Sequence, residues 1–215
     1  MCRLLALTAA APVAIRDHLG PFAEIARNCR EFQGHGWGCA WQEERAWRTH
    51  HSIRPIWEDE VGGLGCARVF VAHARSAFRD EGIVVENNMP FVEPPLAFVF
   101  NGELRGVRIA EIGRIGAEKL FRFLVRRGAA ESEARLRAAV RLVGQRTRYV
   151  RAMNFILGRP GAFLVCSSFN EDHDYFTLHA RKAEAMAVVC SRPYGSLSEW
   201  TPLPNGALEV MPWFS

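Results

Sequence analysis

Two amphipathic helical segments sit side by side in the middle of this chain, with strand-like runs on both sides of them. Ala117–Arg127 carries Leu120, Phe121, Phe123 and Leu124 at helical spacing, and Gly128 follows as a C-cap. Ser132–Arg148 repeats the pattern with Leu136, Ala139, Val140 and Val143 on one face. Before this pair, Arg3–Thr8, Cys39–Trp41, Ala46–His50, Arg68–Arg75 and Leu96–Phe100 read as strands. After it come Asn154–Leu157, Ala162–Ser167, Tyr175–Ala180, Ala185–Cys190 and Leu208–Met211. One more helical stretch, marked by Leu19, Phe22, Ile25 and Ala26, follows the first strand. Strands, then helices, then strands predict an α+β layered domain with two sheets. Glu43-Glu44-Arg45 and Asn101-Gly102 read as hairpin turns.

The other sequence-wide features narrow the class. At 215 residues and 49% hydrophobic, the chain has enough apolar material for a large core, which excludes disorder. No repeat or linker divides it, so 1–215 is expected to form a single domain. No apolar run approaches the ~18 residues of a membrane span. Leu4–Ala11 is at the short end for the apolar stretch of a secretory leader and follows only one charge, so no leader is expected. A net charge of +4 says little, and the arginines of Arg126–Arg151 read as a solvated helix face rather than a nucleic-acid surface. The six cysteines contain no CxxC pair and, Cys2 and Cys29 apart, lie in apolar contexts. They are expected to be buried free thiols of a cytoplasmic protein. Neither His50-His51 nor Glu171-Asp172-His173-Asp174 has metal-ligand spacing, so no metal is expected.

Three places can carry chemistry. Cys2 follows the initiator Met, and loss of Met1 would put an α-amine of pKa roughly 7.7–8.0 beside its own thiol. One residue would then supply nucleophile and base, and Cys2 is expected to be the single hyper-reactive thiol. His73 and Arg75, two apart at the end of a strand, share a face, and Arg75 has the fork geometry for a carboxylate. Asn101 and Gly102 can offer an amide and a backbone N–H to a developing oxyanion.

Read together, these places form an ordered series. Met-Cys-Arg-Leu-Leu, Gly34-His35-Gly36-Trp37-Gly38, Val71-Ala72-His73-Ala74-Arg75, Asn87-Asn88-Met89-Pro90-Phe91 and Phe100-Asn101-Gly102-Glu103-Leu104 follow one another along the chain. Met153–Leu157, Tyr175–His179, Val188–Pro193 and Trp200–Gly206 continue the series. In this order the chain resembles the class II glutamine amidotransferases, which are N-terminal nucleophile hydrolases. It is most similar to their stand-alone branch, which includes the ergothioneine-pathway γ-glutamyl hydrolases.

The resemblance implies a four-layer αββα sandwich with Cys2 as nucleophile and, through its amine, base. Asn101 and Gly102 would form the oxyanion hole, and Arg75, with His73 and Asn87, would bind substrate. It implies hydrolysis of a glutamine-like or γ-glutamyl amide through a thioester, without a cofactor. Any ammonia acceptor would be a separate protein. Three departures from the family stand out. Met89 and Phe100 replace histidines, and Ile115-Gly116-Ala117 stands where the family has an Asp that binds the α-ammonium of glutamine. Gly116 is thus expected to leave free glutamine a poor substrate unless Glu86, Glu103 or Glu118 substitutes. The remaining alternatives are an amidase for substrates lacking a free α-amino group, or a non-catalytic binding protein.

Overall fold

Alternation of apolar residues shapes the first half of the chain. The computed structural model describes residues 1–214. Strand β1 (Arg3–Ala14) is followed by helix α1 (Arg16–Arg27), β2 (Trp37–Glu43), β3 (Ala46–Ser52) and β4 (Cys66–Ala74). Then come β5 (Phe91–Glu93), β6 (Leu96–Val107), α2 (Gly116–Arg126), α3 (Glu133–Gln145), β7 (Thr147–Arg159) and β8 (Ala162–Ser167). The chain ends with α4 (His173–Phe176), β9 (His179–Ala183), β10 (Met186–Cys190), β11 (Thr201–Pro202) and β12 (Ala207–Pro212). A seven-stranded sheet runs β11-β9-β10-β1-β4-β2-β3, and a five-stranded sheet runs β12-β8-β7-β6-β5. The strand pairs are antiparallel.

Period-2 alternation assigns the faces. In β1, Leu5 and Leu7 pack with Leu19 and Phe22 of α1, while Leu4 and Ala6 join the core between the sheets. In β6, Phe98 stacks on Phe121 of α2 with ring centroids 5.1 Å apart, so Val99 and Asn101 look the other way, toward the first sheet. The layers are therefore α1, the seven-stranded sheet, the five-stranded sheet, and α2 with α3: the expected αββα sandwich. Ser132 caps α3 by accepting a hydrogen bond from the Arg135 N–H. Glu118 does the comparable work for α2, reaching back to the Arg114 N–H. Among the described residues no helix is long and apolar enough to cross a membrane.

Four local expectations are corrected. β1 extends to Ala14 instead of ending at Thr8. Asn101-Gly102 is not a turn but lies inside β6, opposite Asn154 and Met153 of β7. Asn-Gly turns where φ is positive, and here continuous pairing with β7 holds the backbone extended. Gly102 serves instead to admit β7, since a Cβ there would collide with the Ala152 carbonyl. Tyr175 and Phe176 belong to α4, whose first turn is set by Asp172 at φ 48°; both N–H groups bond the Asp172 carbonyl. Cys66 is exposed, whereas Cys39, Cys166 and Cys190 are buried as expected.

Candidate active site

The start of β1 meets the end of β4. Arg3 pairs with Ala74 and Leu4 with His73, so Cys2 comes to lie beside Arg75. By alternation, Cys2, Leu4, His73 and Arg75 face the gap between the sheets. The Cys2 sulfur sits 3.7 Å from the Ser76 carbonyl. From the other side, the Phe100 carbonyl leans on the His73 ring and brings Asn101 into the same gap. The glycine-rich segment wraps the Arg75 backbone: Arg75 N–H donates to the Gly36 carbonyl at 2.8 Å, and His35 N–H to the Arg75 carbonyl at 3.1 Å. Gly36, at φ +104°, holds a conformation that favours glycine, and a Cβ there would strike the Asn88 amide and the Ser52 carbonyl.

The polar groups gathered here are buried and largely unpaired. Both ring nitrogens of His73, Nη1 of Arg75, Oδ1 of Asn87 and both amide atoms of Asn101 make no hydrogen bond of ordinary geometry. Asn101 is 1% exposed and Arg75 5% exposed. Buried polar atoms in folded proteins nearly always have partners, so these groups hold unused bonding capacity within one gap. Asn87 also braces the loop over the guanidinium, donating from Nδ2 to the Gly82 carbonyl at 2.9 Å. Among the described residues no carboxylate pairs with Arg75, and its Nη1 makes no hydrogen bond.

The electrostatics divide the roles. Burial pushes the Cys2 thiol up, while the terminal amine and Arg75 pull it down. Burial, reinforced by Arg75, holds His73 down at about 3, so it stays neutral and is a poor base near neutrality. Cys29 also has a perturbed thiol. Burial opposes its thiolate, but the Tyr175 hydroxyl and the Arg3 guanidinium, 3.2 Å away, outweigh that and lower it. A second activatable sulfur was not expected from the sequence.

Met1 occupies the doorstep of the site. Its ammonium is 2.5 Å from Glu31 Oε2, and its carbonyl accepts from Gln33 Nε2 and, at 2.7 Å, from the Tyr175 hydroxyl. Sequence reasoning missed Glu31, Gln33 and Tyr175, because nothing in their spacing ties them to Cys2. Gly116 is exposed at the first position of α2, and a Cβ there would meet nothing within 4 Å. Of the three acids considered as substitutes, Glu118 is held by Arg114 and Arg122, and Glu103 by Arg105 and Arg151. Glu86 is exposed and lines a cavity of about 330 Å³ with Asn88, Arg114 and Glu118.

No family model and no curated protein matches the sequence. Solved structures do. A glutamine aminotransferase class-II domain protein from Silicibacter pomeroyi superposes with a TM-score of 0.68 at 17% identity, over 99% of each chain. A predicted glutamine amidotransferase from Pseudomonas aeruginosa PA01 gives 0.62 at 15% identity, over 100% of this chain and 98% of that one. The glutamine phosphoribosylpyrophosphate amidotransferase from B. subtilis gives 0.62 at 15% identity, matching 88% of this chain to 42% of its own. Two stacked antiparallel sheets with Cys2, Arg75 and Asn101 in the gap between them thus stand on the fold of the class II glutamine amidotransferase domains.

Proposed function

We propose that the protein is an N-terminal cysteine amidohydrolase for a glutamine-like or γ-glutamyl amide. The observation that carries this reading is the set of buried, unpartnered polar groups of His73, Arg75, Asn87 and Asn101 beside Cys2. Removal of Met1 frees the Cys2 amine, whose pKa of roughly 7.7–8.0 suits a base near neutral pH. His73, held neutral, does not compete for that role. The amine takes the thiol proton, and the sulfur adds to the amide carbon. The Asn101 amide and the Gly102 N–H receive the oxyanion. Collapse expels ammonia or an amine, protonated by the Cys2 ammonium, and leaves a thioester on Cys2. Water, deprotonated by the same amine, hydrolyses the thioester and restores the thiol. Arg75 holds the substrate carboxylate throughout.

The released ammonia goes to solvent or to a separate acceptor protein. The six cysteines are all free thiols, in keeping with a reducing compartment such as the cytoplasm. A second reading, a substrate without a free α-amino group, draws on the exposed glycine at 116 and on the pairing of Glu103 and Glu118. The test is release of glutamate or its N-acyl derivative from glutamine, N-acetylglutamine and γ-glutamyl dipeptides. Turnover abolished in Cys2→Ala supports the proposal. No turnover of any of these amides leaves the binding-protein alternative.

A further inference from the structure

An acid that the sequence lacks at Gly116 has a counterpart elsewhere at the nucleophile. Glu31, in the loop after α1, holds the Met1 ammonium, while fully buried Gln33 and the Tyr175 hydroxyl hold the Met1 carbonyl. These three side chains grip the ammonium and carbonyl of an α-aminoacyl group. The charges of Glu31 and Arg75 both reach the Cys2 thiol, with opposite effects on it.

Charge balance points the same way. Arg151 is surrounded by Glu31, Glu103, Glu171 and Asp172. Arg30 adds a cation on Asp172, and Arg105 one on Glu103. With the Met1 ammonium the cluster is neutral; after Met1 is removed the new Cys2 α-amine supplies that charge only while protonated, so in the free-base form that catalysis requires the carboxylates outnumber the cations by one. Glu31 is the member facing the departed amine, and its guanidinium partner, Arg151 at 3.4 Å, is closer to Asp172 at 2.5 Å.

We propose that, once Met1 has left, Glu31 binds the α-ammonium of the substrate, with Gln33 and Tyr175 lining the same subsite. The substrate class is then the γ-amides of free α-amino acids, with the carboxylate on Arg75. This deepens the functional reading above and rests on it. Glu31 is a specificity residue, and it takes the place that the family's Asp would have at Gly116.

The experiment compares kcat/KM for glutamine and N-acetylglutamine in the wild type, Glu31→Gln and Glu31→Asp, each with a full pH profile. The expected wild type prefers glutamine. Glu31→Gln lowers the glutamine-to-acetylglutamine ratio roughly ten- to a hundredfold, the usual value of one charged hydrogen bond. Glu31→Asp, which keeps the charge, recovers part of the ratio and shows that the loss is not misfolding. An unchanged ratio in Glu31→Gln overturns the proposal. So does a shift of the pH profile that is equal for both substrates, because Glu31 would then be serving the Cys2 amine. A wild type that favours N-acetylglutamine overturns it as well. Turnover of none of glutamine, N-acetylglutamine and γ-glutamyl dipeptides overturns the functional reading and this assignment together, whereas turnover with an unchanged ratio removes only the assignment.

Discussion

Asn101 and Asn154 face each other across β6 and β7, equally buried, yet their bonding is opposite. Asn154 donates from Nδ2 to the Phe176 carbonyl and accepts from the Ser168 N–H at 2.9 Å. The Asn101 side-chain amide bonds nothing. Truncating each to Ala therefore separates a structural amide from a functional one. In Asn101→Ala, a void of roughly 50 Å³ costs about 1 kcal/mol at about 24 cal/mol per Å³. Removing an unsatisfied buried amide returns about 1–3 kcal/mol. Stability should thus stay within about 1–2 kcal/mol of wild type, or rise. Activity should fall by a factor of about 100 to 1000 in kcat, since one oxyanion donor is worth ~2.7–4 kcal/mol. In Asn154→Ala the same void appears and two partners are orphaned, so stability should fall by about 3–7 kcal/mol. Urea melts and steady-state hydrolysis on both variants provide the comparison. If Asn101→Ala is as destabilised as Asn154→Ala, or changes KM with kcat intact, the oxyanion assignment fails.

Gly102→Ala should weaken the β6–β7 pairing and lower the melting temperature sharply, because its Cβ meets a main-chain carbonyl that cannot swing away; an unchanged melt would mean that β7 yields easily. The low His73 value implies acid lability. The unfolded chain takes up a proton near pH 6.5 while the folded one does not until about 3, so this contribution is intact above 6.5 and is lost as pH falls. Urea stability should drop by up to ~1.4 kcal/mol per pH unit below about pH 6, and less steeply in His73→Gln. Alkylation at pH 7 should mark Cys29 ahead of buried Cys39, Cys166 and Cys190 and, in chain that retains Met1, ahead of Cys2; peptide mapping that finds Cys29 inert would contradict its pairing with Arg3 and Tyr175.

What the sequence revealed, and what it hid, follows from the range of the interactions. Local periodicity was enough for α2 and α3, where Leu120, Phe121, Leu136 and Val143 mark the buried faces. His73 and Arg75 were legible because a strand places alternate residues on one face. Asn101-Gly102 misled as a turn because its conformation is decided by β7, some fifty residues later in the chain. Tyr175 was read as a strand residue, although its hydroxyl lies beside Met1 at the opposite end of the sequence. Glu31 carried no signal at all, since its meaning comes from the ammonium and guanidinium that folding brings to it.

The central claim is that Cys2, freed of Met1, is the attacking group, and intact-mass spectrometry after incubation with an electrophilic glutamine analogue tests it most directly. The account predicts a chain lacking Met1 that carries a single adduct on Cys2, with no adduct in Cys2→Ala. An active preparation that retains Met1, or an adduct confined to Cys29, would contradict it.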